Sequence, residues 1–172
     1  MTVARCFVAL DLGLDALAAA AEAQTILDAD LVRKSPPESM HITLKFLGHV
    51  DVDAVARKVF DAVAPLASGP PLSLGEGKIE GFPTLARAHV VVLECAGADG
   101  RLAALAFHAD KAAFALGVPL EDRPYRPHVT LARCKKDFDA RKIAARFAPR
   151  PLGFATKLVL YESAGGKYVP LS

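Results

Sequence analysis

The sequence predicts a single α+β domain, residues 1–172, built from two similar lobes. A chain of 172 residues suits one compact domain, and a composition of 52% hydrophobic and 23% charged residues is that of a globular protein. Segments with the period of a strand alternate along the chain with segments that have the period of a helix. The order strand, helix, proline-containing loop and His-x-Thr strand occurs twice, which predicts two lobes packed together.

The first half of the chain is predicted to contain two strands and two helices. In chain order these are a strand at residues 3–11, a helix at residues 14–31, a strand at residues 40–47 and a helix capped by Asp51 and ended by the Gly/Pro-rich residues 68–71. The first strand is mostly apolar, in the way of a buried strand, whereas the second alternates between apolar and polar side chains. Pro36 and Pro37 separate the first helix from the alternating strand.

The second half repeats this order and then adds elements that would complete the sheets. In chain order these are strands at residues 72–79 and 88–94, a helix at residues 99–116, a strand at residues 128–133, a short helix at residues 139–147 and strands at residues 154–161 and 167–171. Gly117 is placed as the C-terminal cap of the long helix. The segment 75–77 (Gly-Glu-Gly) lacks the downstream residues of a phosphate loop and is interpreted as a hairpin turn. The distances from residue 3 to residue 41 and from residue 90 to residue 128 are both 38 positions.

Composition and cysteine spacing exclude several classes of protein. No apolar stretch approaches the roughly 20 residues needed to cross a bilayer, and Asp11 interrupts what would be the apolar region of a signal peptide. Cys6, Cys95 and Cys134 are odd in number and widely spaced, which suggests neither a disulfide framework nor a zinc cluster. We therefore expect a cytoplasmic, monomeric protein without membrane contact, metal or cofactor.

The charge distribution favours a phosphate-bearing partner. The net charge is only +2, but residues 133–150 contain seven basic and two acidic residues, a local balance of +5. A solvated helix face is the alternative explanation for such a run.

Two matching strands carry the chemistry. Residues i and i+2 of a strand share a face, so His41 is accompanied by Thr43 and His128 by Thr130. If the two lobes face each other, their cleft holds two imidazoles and two hydroxyls around a point that suits a phosphate. Cleavage of a phosphodiester needs one group that accepts a proton and one that donates a proton, and a histidine pair supplies both near neutral pH without a metal. The threonines would donate hydrogen bonds to the non-bridging oxygens.

A single His-x-Thr would be weak evidence, since threonine favours strands and histidine is often a half-buried strand residue. Two copies at matched places in a repeated layout favour the catalytic interpretation. For hydrolysis we assign His128 as the base toward water and His41 as the acid toward the departing oxygen. Pseudo-symmetry leaves the opposite assignment open.

The two motifs resemble the signature pair of the two-histidine phosphoesterases, specifically the bacterial and archaeal RNA 2′,3′-cyclic phosphodiesterases, also called 2′-5′ RNA ligases. The resemblance is carried by His-Ile-Thr-Leu-Lys-Phe-Leu-Gly at residues 41–48 and Pro-His-Val-Thr-Leu-Ala-Arg at residues 127–133. The two ends of the chain, at residues 5–10 and 160–171, are also similar to that family.

The resemblance implies a bilobal α+β fold in which antiparallel sheets line a central cleft, with the helices outside. It also implies that RNA 2′,3′-cyclic phosphate ends are opened to a 2′-phosphate, and that some members join tRNA halves reversibly through a 2′-5′ linkage without a nucleotide cofactor. RNA with 2′,3′-cyclic phosphate or 2′-phosphate ends would then be the partner.

Four further residues are candidates for substrate contact. Arg133 stands in the family motif where it could bind phosphate, although strict alternation from His128 turns it to the other face unless a bulge redirects it. Lys45 shares the predicted face of His41 and could add charge to the groove. Phe7 and Tyr125 could stack a terminal base, with core packing as the alternative for Phe7.

Two other functions stay open. One is a two-histidine phosphoesterase acting on a small cyclic phosphate, such as a nucleotide or an ADP-ribose cyclic phosphate. The other is a non-catalytic module that binds RNA ends, for which intact histidines would be unnecessary.

Overall fold

The computed structural model describes residues 1–172 as ten strands and four α-helices. The strands are β1 (Val3–Leu12), β2 (Val32–Lys34), β3 (His41–Asp51), β4 (Leu72–Ser73), β5 (Glu76–Pro83), β6 (Ala88–Ala96), β7 (His128–Phe138), β8 (Arg150–Pro151), β9 (Phe154–Ala164) and β10 (Lys167–Pro170). The helices are α1 (Leu14–Gln24), α2 (Arg57–Ala67), α3 (Arg101–Ala115) and α4 (Arg141–Arg146). None of the helices is long and apolar enough to cross a membrane.

The strands form two antiparallel half-sheets that meet at the two His-x-Thr strands. The order across them is β10-β9-β1-β3 and then β7-β6-β5-β8, with β2 beside β7 and β4 beside β9. The strands β3 and β7 are joined by one residue pair, Ile42 opposite Val129, and then diverge. This divergence opens a cleft between the half-sheets and confirms the predicted bilobal α+β fold.

The helices are exchanged between the two halves. Helix α1 follows β1 in the chain but packs against β7 and β8 of the other half, whereas α3 follows β6 and packs against β3 and α2. The apolar side chains of both half-sheets and all these helices join in one buried cluster that includes Ile42, Leu131 and Ala109. Each histidine strand is therefore supported from behind by a helix that belongs to the other half of the sequence.

The strand register reveals the pseudo-twofold relation. In the first half Asp11 lies opposite His41, and in the second half Glu94 lies opposite His128. From residue 11 to residue 41 is 30 positions, and from residue 94 to residue 128 is 34 positions. The equal 38-residue offsets seen in the sequence therefore do not join equivalent residues, because the connections differ in length by four residues. The two halves nevertheless share the same order of elements and the same pairing of an acidic residue with a histidine.

Both histidine strands contain a β-bulge at the same place. In β3 the register shifts so that Thr43 faces Ala9 and Lys45 faces Val8, which leaves Leu44 as the extra residue. In β7 Thr130 faces Val92 and Ala132 faces Val91, which leaves Leu131 as the extra residue. Beyond each bulge the alternation is reversed.

Three predicted local structures need correction. The first helix ends at Gln24 rather than at residue 31, because the backbone turns around Asp28, whose carbonyl accepts hydrogen bonds from the amides of Leu31 and Val32 and starts β2. The helix capped by Asp51, whose carboxylate accepts from the Ala54 amide at 2.6 Å, opens with a wide π-type turn over Val52–Ala56 before α2 begins. Segment 75–77 is not a hairpin turn, since β4 and β5 do not pair with each other and residues 76 and 77 already belong to β5.

Candidate active site

The two predicted histidines lie in one cleft between the half-sheets. The cleft has a volume of about 470 Å³. Its lining includes the side chains of both His-x-Thr motifs together with one arginine from each half-sheet, namely His41, Thr43, His128, Thr130, Arg5 and Arg133. The structure thus brings together the residues that the sequence motif singled out.

Each imidazole is oriented by a backbone carbonyl two residues earlier in the chain. His41 Nδ1 donates to the Ser39 carbonyl at 2.8 Å, and His128 Nδ1 donates to the Arg126 carbonyl, also at 2.8 Å. With the proton held on Nδ1, the neutral ring has its free electron pair on Nε2. His41 Nε2 accepts from the Thr43 hydroxyl at 2.9 Å, whereas His128 Nε2 has no partner in the protein.

Burial tunes both rings toward the neutral form. Desolvation lowers the pKa of His41, and it lowers the pKa of His128 in the same way. In both cases the carbonyl hydrogen bond and the acidic residue on the neighbouring strand oppose this shift, Asp11 for His41 and Glu94 for His128, since each of them favours the charged imidazolium. Both rings therefore lose their proton at lower pH than a free imidazole does, so a state with one neutral and one protonated histidine belongs to the acidic side of the ordinary imidazole pKa.

The bulge in β7 turns Arg133 into the cleft. Because the bulge reverses the alternation, Arg133 lies on the same face as His128 and Thr130, and its side chain lines the cleft. It makes no ion pair with an acidic residue. Arg33 on β2 lies directly opposite Arg133 and likewise has no acidic partner. Like charges opposite each other on a sheet repel, but Arg33 itself does not line the cleft.

The matching bulge in β3 removes Lys45 from the cleft. The prediction that Lys45 shares a face with His41 and Thr43 is wrong, because the lysine is 3% exposed and points toward α3. Its Nζ lies 3.0 Å from Asp110 and 2.8 Å from Glu121, and it donates to the Pro119 carbonyl. Its role is to tie the end of α3 and the following loop to β3.

Partly buried side chains donate hydrogen bonds to the backbone beside both bulges. Gln24 at the end of α1 donates through Nε2 to the Leu131 carbonyl at 2.9 Å and to the Ser35 carbonyl at 2.8 Å. The Tyr125 hydroxyl donates to the Thr43 carbonyl at 2.9 Å. Tyr125 therefore supports β3 through its hydroxyl, a contact that the interpretation as a base-stacking residue did not include.

Aromatic rings cover the His41 side of the cleft. Phe7 packs 4.8 Å from His41 between ring centroids and is itself covered by Phe46, Tyr161 and Tyr168. At 3% exposure, Phe7 presents almost no free face and acts as the floor beneath His41. Phe46 is 58% exposed and also lines the cleft.

Sequence reasoning missed three residues that line the cleft, namely Phe46, Arg5 and Tyr168. Strict alternation put Phe46 on the apolar face of its strand, and the bulge that turns it round leaves no clear mark in the sequence.

Most of the predicted basic run does not reach the cleft, because Arg141 pairs with Asp139 and Arg150 pairs with Glu22. No group of three or more His, Cys, Asp or Glu side chains is arranged to hold a metal ion, and the three cysteines are free thiols.

Comparison with known proteins gives consistent relatives. Residues 13–167 match the 2′-5′ RNA ligase superfamily. The RNA 2′,3′-cyclic phosphodiesterase of Bacillus subtilis (strain 168) is 38% identical over 98 residues, which are 56% of this chain and 52% of that protein, so the alignment spans about half of this curated relative.

Solved structures agree over nearly the whole chain. Escherichia coli LigT complexed with 3′-AMP superposes with a TM-score of 0.74 at 25% identity, covering 99% of this chain and 97% of that one. TT0787 of Thermus thermophilus has a TM-score of 0.71 at 25% identity, covering 98% and 95% of the two chains.

Proposed function

Since this chain belongs to the 2′-5′ RNA ligase superfamily of two-histidine phosphoesterases, we propose that it hydrolyses 2′,3′-cyclic phosphate ends of RNA to 2′-phosphates. The observation that carries this proposal is the pair of imidazoles in one cleft, each with Nδ1 committed to a backbone carbonyl. The Nε2 atom of His128 is then free and that of His41 is bonded only to the Thr43 hydroxyl, so both Nε2 atoms face the cleft side of the motif and are the ones that can transfer protons. The B. subtilis relative is named for the same activity.

In the proposed reaction, His128 is the base and His41 is the acid. His128 Nε2 takes a proton from water, the water oxygen attacks phosphorus, and the bond from phosphorus to the 3′ oxygen breaks. His41 Nε2 gives its proton to that departing oxygen. The free Nε2 of His128 supports its role as base, since no protein group competes for its electron pair.

Thr43, Thr130 and Arg133 stabilise the charge that develops on the phosphate. Their side chains line the same cleft as the two imidazoles. Hydroxyl donors and a guanidinium aimed at the non-bridging oxygens act more strongly in the transition state, where those oxygens carry more charge. No step of this scheme requires a metal ion or an organic cofactor.

A joining reaction of the same cyclic phosphate end is open to the same site. If the 5′-hydroxyl of another RNA replaces water, the product is a 2′-5′ linkage, as the name of the superfamily implies. Halves of a cleaved tRNA would present suitable ends. A cleft of about 470 Å³ has room for one terminal nucleotide, so small cyclic nucleotides are the second candidate substrates.

The decisive assay follows an RNA with a 2′,3′-cyclic phosphate end in excess chelator. We expect conversion to the 2′-phosphate, with the position of the phosphate determined on the product. Full inhibition by chelator and recovery with a divalent metal would overturn the proposed mechanism. Parallel reactions with cyclic mononucleotides and with ADP-ribose cyclic phosphate separate the RNA substrate from the small ones through their kcat/KM values.

Substitution of either histidine tests the assignment of the site. We expect His41→Ala and His128→Ala each to lower kcat by at least about 10² with the fold retained. His49→Ala, an exposed histidine further along β3, is the matched control and should keep full activity. A substrate whose leaving group needs no proton should rescue the variant that lacks the acid, which we expect to be His41→Ala.

A further inference from the structure

A second cleft adjoins the first on the side of His128. It has a volume of about 740 Å³ and shares Thr43, Phe46 and His128 with the cleft of the histidines. Its walls come from α3, from the end of β5 and from the loop at residues 121–126. A ligand could therefore extend from one cleft into the other past His128.

The second cleft combines aromatic rings with guanidinium groups. Phe107 on α3 is 58% exposed and lines it together with Phe82. The Arg126 guanidinium lies 4.7 Å from the centre of the Phe82 ring, and His128 meets the same ring edge-on at 5.0 Å. Stacking rings beside cations are the surface that single-stranded nucleic acids bind.

The second cleft contains one guanidinium without an acidic partner. Its two carboxylates, Asp110 and Glu121, are both bound by buried Lys45. Arg126 is paired with Glu94, but Arg123 takes part in no ion pair and is exposed. A phosphate following a stacked base would find Arg123 as its partner.

We propose that the second cleft binds the RNA end that carries a free 5′-hydroxyl and acts as the acceptor in 2′-5′ joining. This inference rests on the proposed function. In-line displacement places the entering and departing oxygens on opposite sides of phosphorus, so an acceptor enters on the side of the base, and His128 lines the second cleft. The acceptor base stacks on Phe107, and its first phosphate meets Arg123.

The proposed joining step balances without any further reactant. His128 Nε2 takes the proton of the 5′-hydroxyl, and the 5′ oxygen forms its bond to phosphorus. The bond from phosphorus to the 3′ oxygen breaks, and that oxygen takes a proton from His41. The number of phosphodiester bonds is unchanged, so no nucleotide cofactor is consumed.

The test measures how the reaction divides between two products. A donor RNA with a 2′,3′-cyclic phosphate end is incubated with an acceptor oligoribonucleotide that has a 5′-hydroxyl and a blocked 3′ end, at an acceptor concentration below saturation. The ratio of 2′-5′ transfer product to 2′-phosphate hydrolysis product is determined. Donor hydrolysis without acceptor is measured separately, because it reports the proposed function alone.

We expect Phe107→Ala and Arg123→Ala each to lower the transfer-to-hydrolysis ratio by about fivefold or more, while the rate of donor hydrolysis stays within about twofold. The matched controls are Phe114→Ala, which removes a ring of 57% exposure on the same helix, and Arg146→Ala, which removes an exposed arginine far along the chain. Both controls should keep the wild-type ratio.

Three results would overturn the acceptor site. They are hydrolysis by the wild type without any transfer product, an unchanged ratio in both test variants, and a parallel fall of hydrolysis and transfer, which would assign the cleft to the donor strand. Absence of hydrolysis in the wild type would instead refute the proposed function.

Discussion

Replacement of Arg133 tests whether a bulge in a strand sets the affinity of the cleft for phosphate. Arg133 reaches the cleft only because the extra residue Leu131 reverses the alternation of β7. Its guanidinium has no acidic partner, so its hydrogen bonds are available to substrate. A hydrogen bond to a charged group contributes about 1.5–3 kcal/mol, and solvent exposure of Arg133 argues for the lower end, so Arg133→Met should lower kcat/KM by about 10- to 30-fold.

The assay is initial-rate hydrolysis of RNA with a 2′,3′-cyclic phosphate end at substrate concentrations below KM. Arg133→Lys should recover part of the loss, because lysine restores the charge but not the two parallel donors of arginine. Arg146→Met removes an exposed arginine outside the cleft and should have no effect. A kcat/KM of Arg133→Met within about twofold of wild type would refute the assignment of this guanidinium to the substrate phosphate.

Three further predictions concern pH and the support of the site. Because burial lowers the pKa of both histidines, the acid loses its proton at lower pH than free imidazole does, so kcat/KM should peak below about pH 6.5 and fall as pH rises. His41→Ala should abolish that alkaline fall, whereas a wild-type kcat/KM still rising at about pH 8 would contradict the scheme. Lys45→Met leaves the mostly buried Asp110 carboxylate without its cation and should lower the free energy of unfolding in urea by about 2–3 kcal/mol. The loss is smaller than for a fully buried pair because Glu121 is half-exposed. The exposed control Lys142→Met should leave the stability unchanged. Gln24→Leu removes two hydrogen bonds and should lower the free energy of unfolding by about 1–3 kcal/mol. Because the bulge bonded to Gln24 orients Arg133, kcat/KM should also fall, but by less than in Arg133→Met. Unchanged stability would show that this amide does not hold the bulge.

The periodicity of the apolar residues and the repeated order of strands and helices were sufficient to predict the architecture of the fold. The His-x-Thr strands and the helices between them have clear periods, because one face of each is buried. The end of the first helix could not be predicted in the same way. Apolar residues at helical spacing continue past Gln24, at Leu27 and Leu31, but the backbone leaves the helix and the Asp28 carbonyl accepts two backbone amides that lead into β2.

The residues beyond Thr43 and Thr130 show where alternation fails. Each threonine lies two residues after its histidine, and no bulge interrupts the strand between the two residues. Simple alternation therefore places each threonine correctly beside its histidine. The bulge after each threonine then reverses the faces, which buries Lys45 and exposes Phe46 in the first half and turns Arg133 inward in the second. The backbone at these bulges accepts hydrogen bonds from the distant side chains of Gln24 and Tyr125, and such contacts have no local signature in a sequence.

The exchange of helices between the halves has a mechanical consequence. The direct link between β3 and β7 is a single residue pair, which alone would act as a hinge. However, α1 is anchored behind β7 and α3 behind β3, so neither half-sheet can rotate without pulling on a helix that is covalently continuous with the other. Each lobe is held in place by a helix from the other lobe. The distance between the two imidazoles is therefore set by the fold before any substrate binds. In the proposed mechanism no closing motion would be needed to bring the acid and the base together. Cutting the chain between the lobes would leave two fragments that each lack the helix packed behind their own histidine strand.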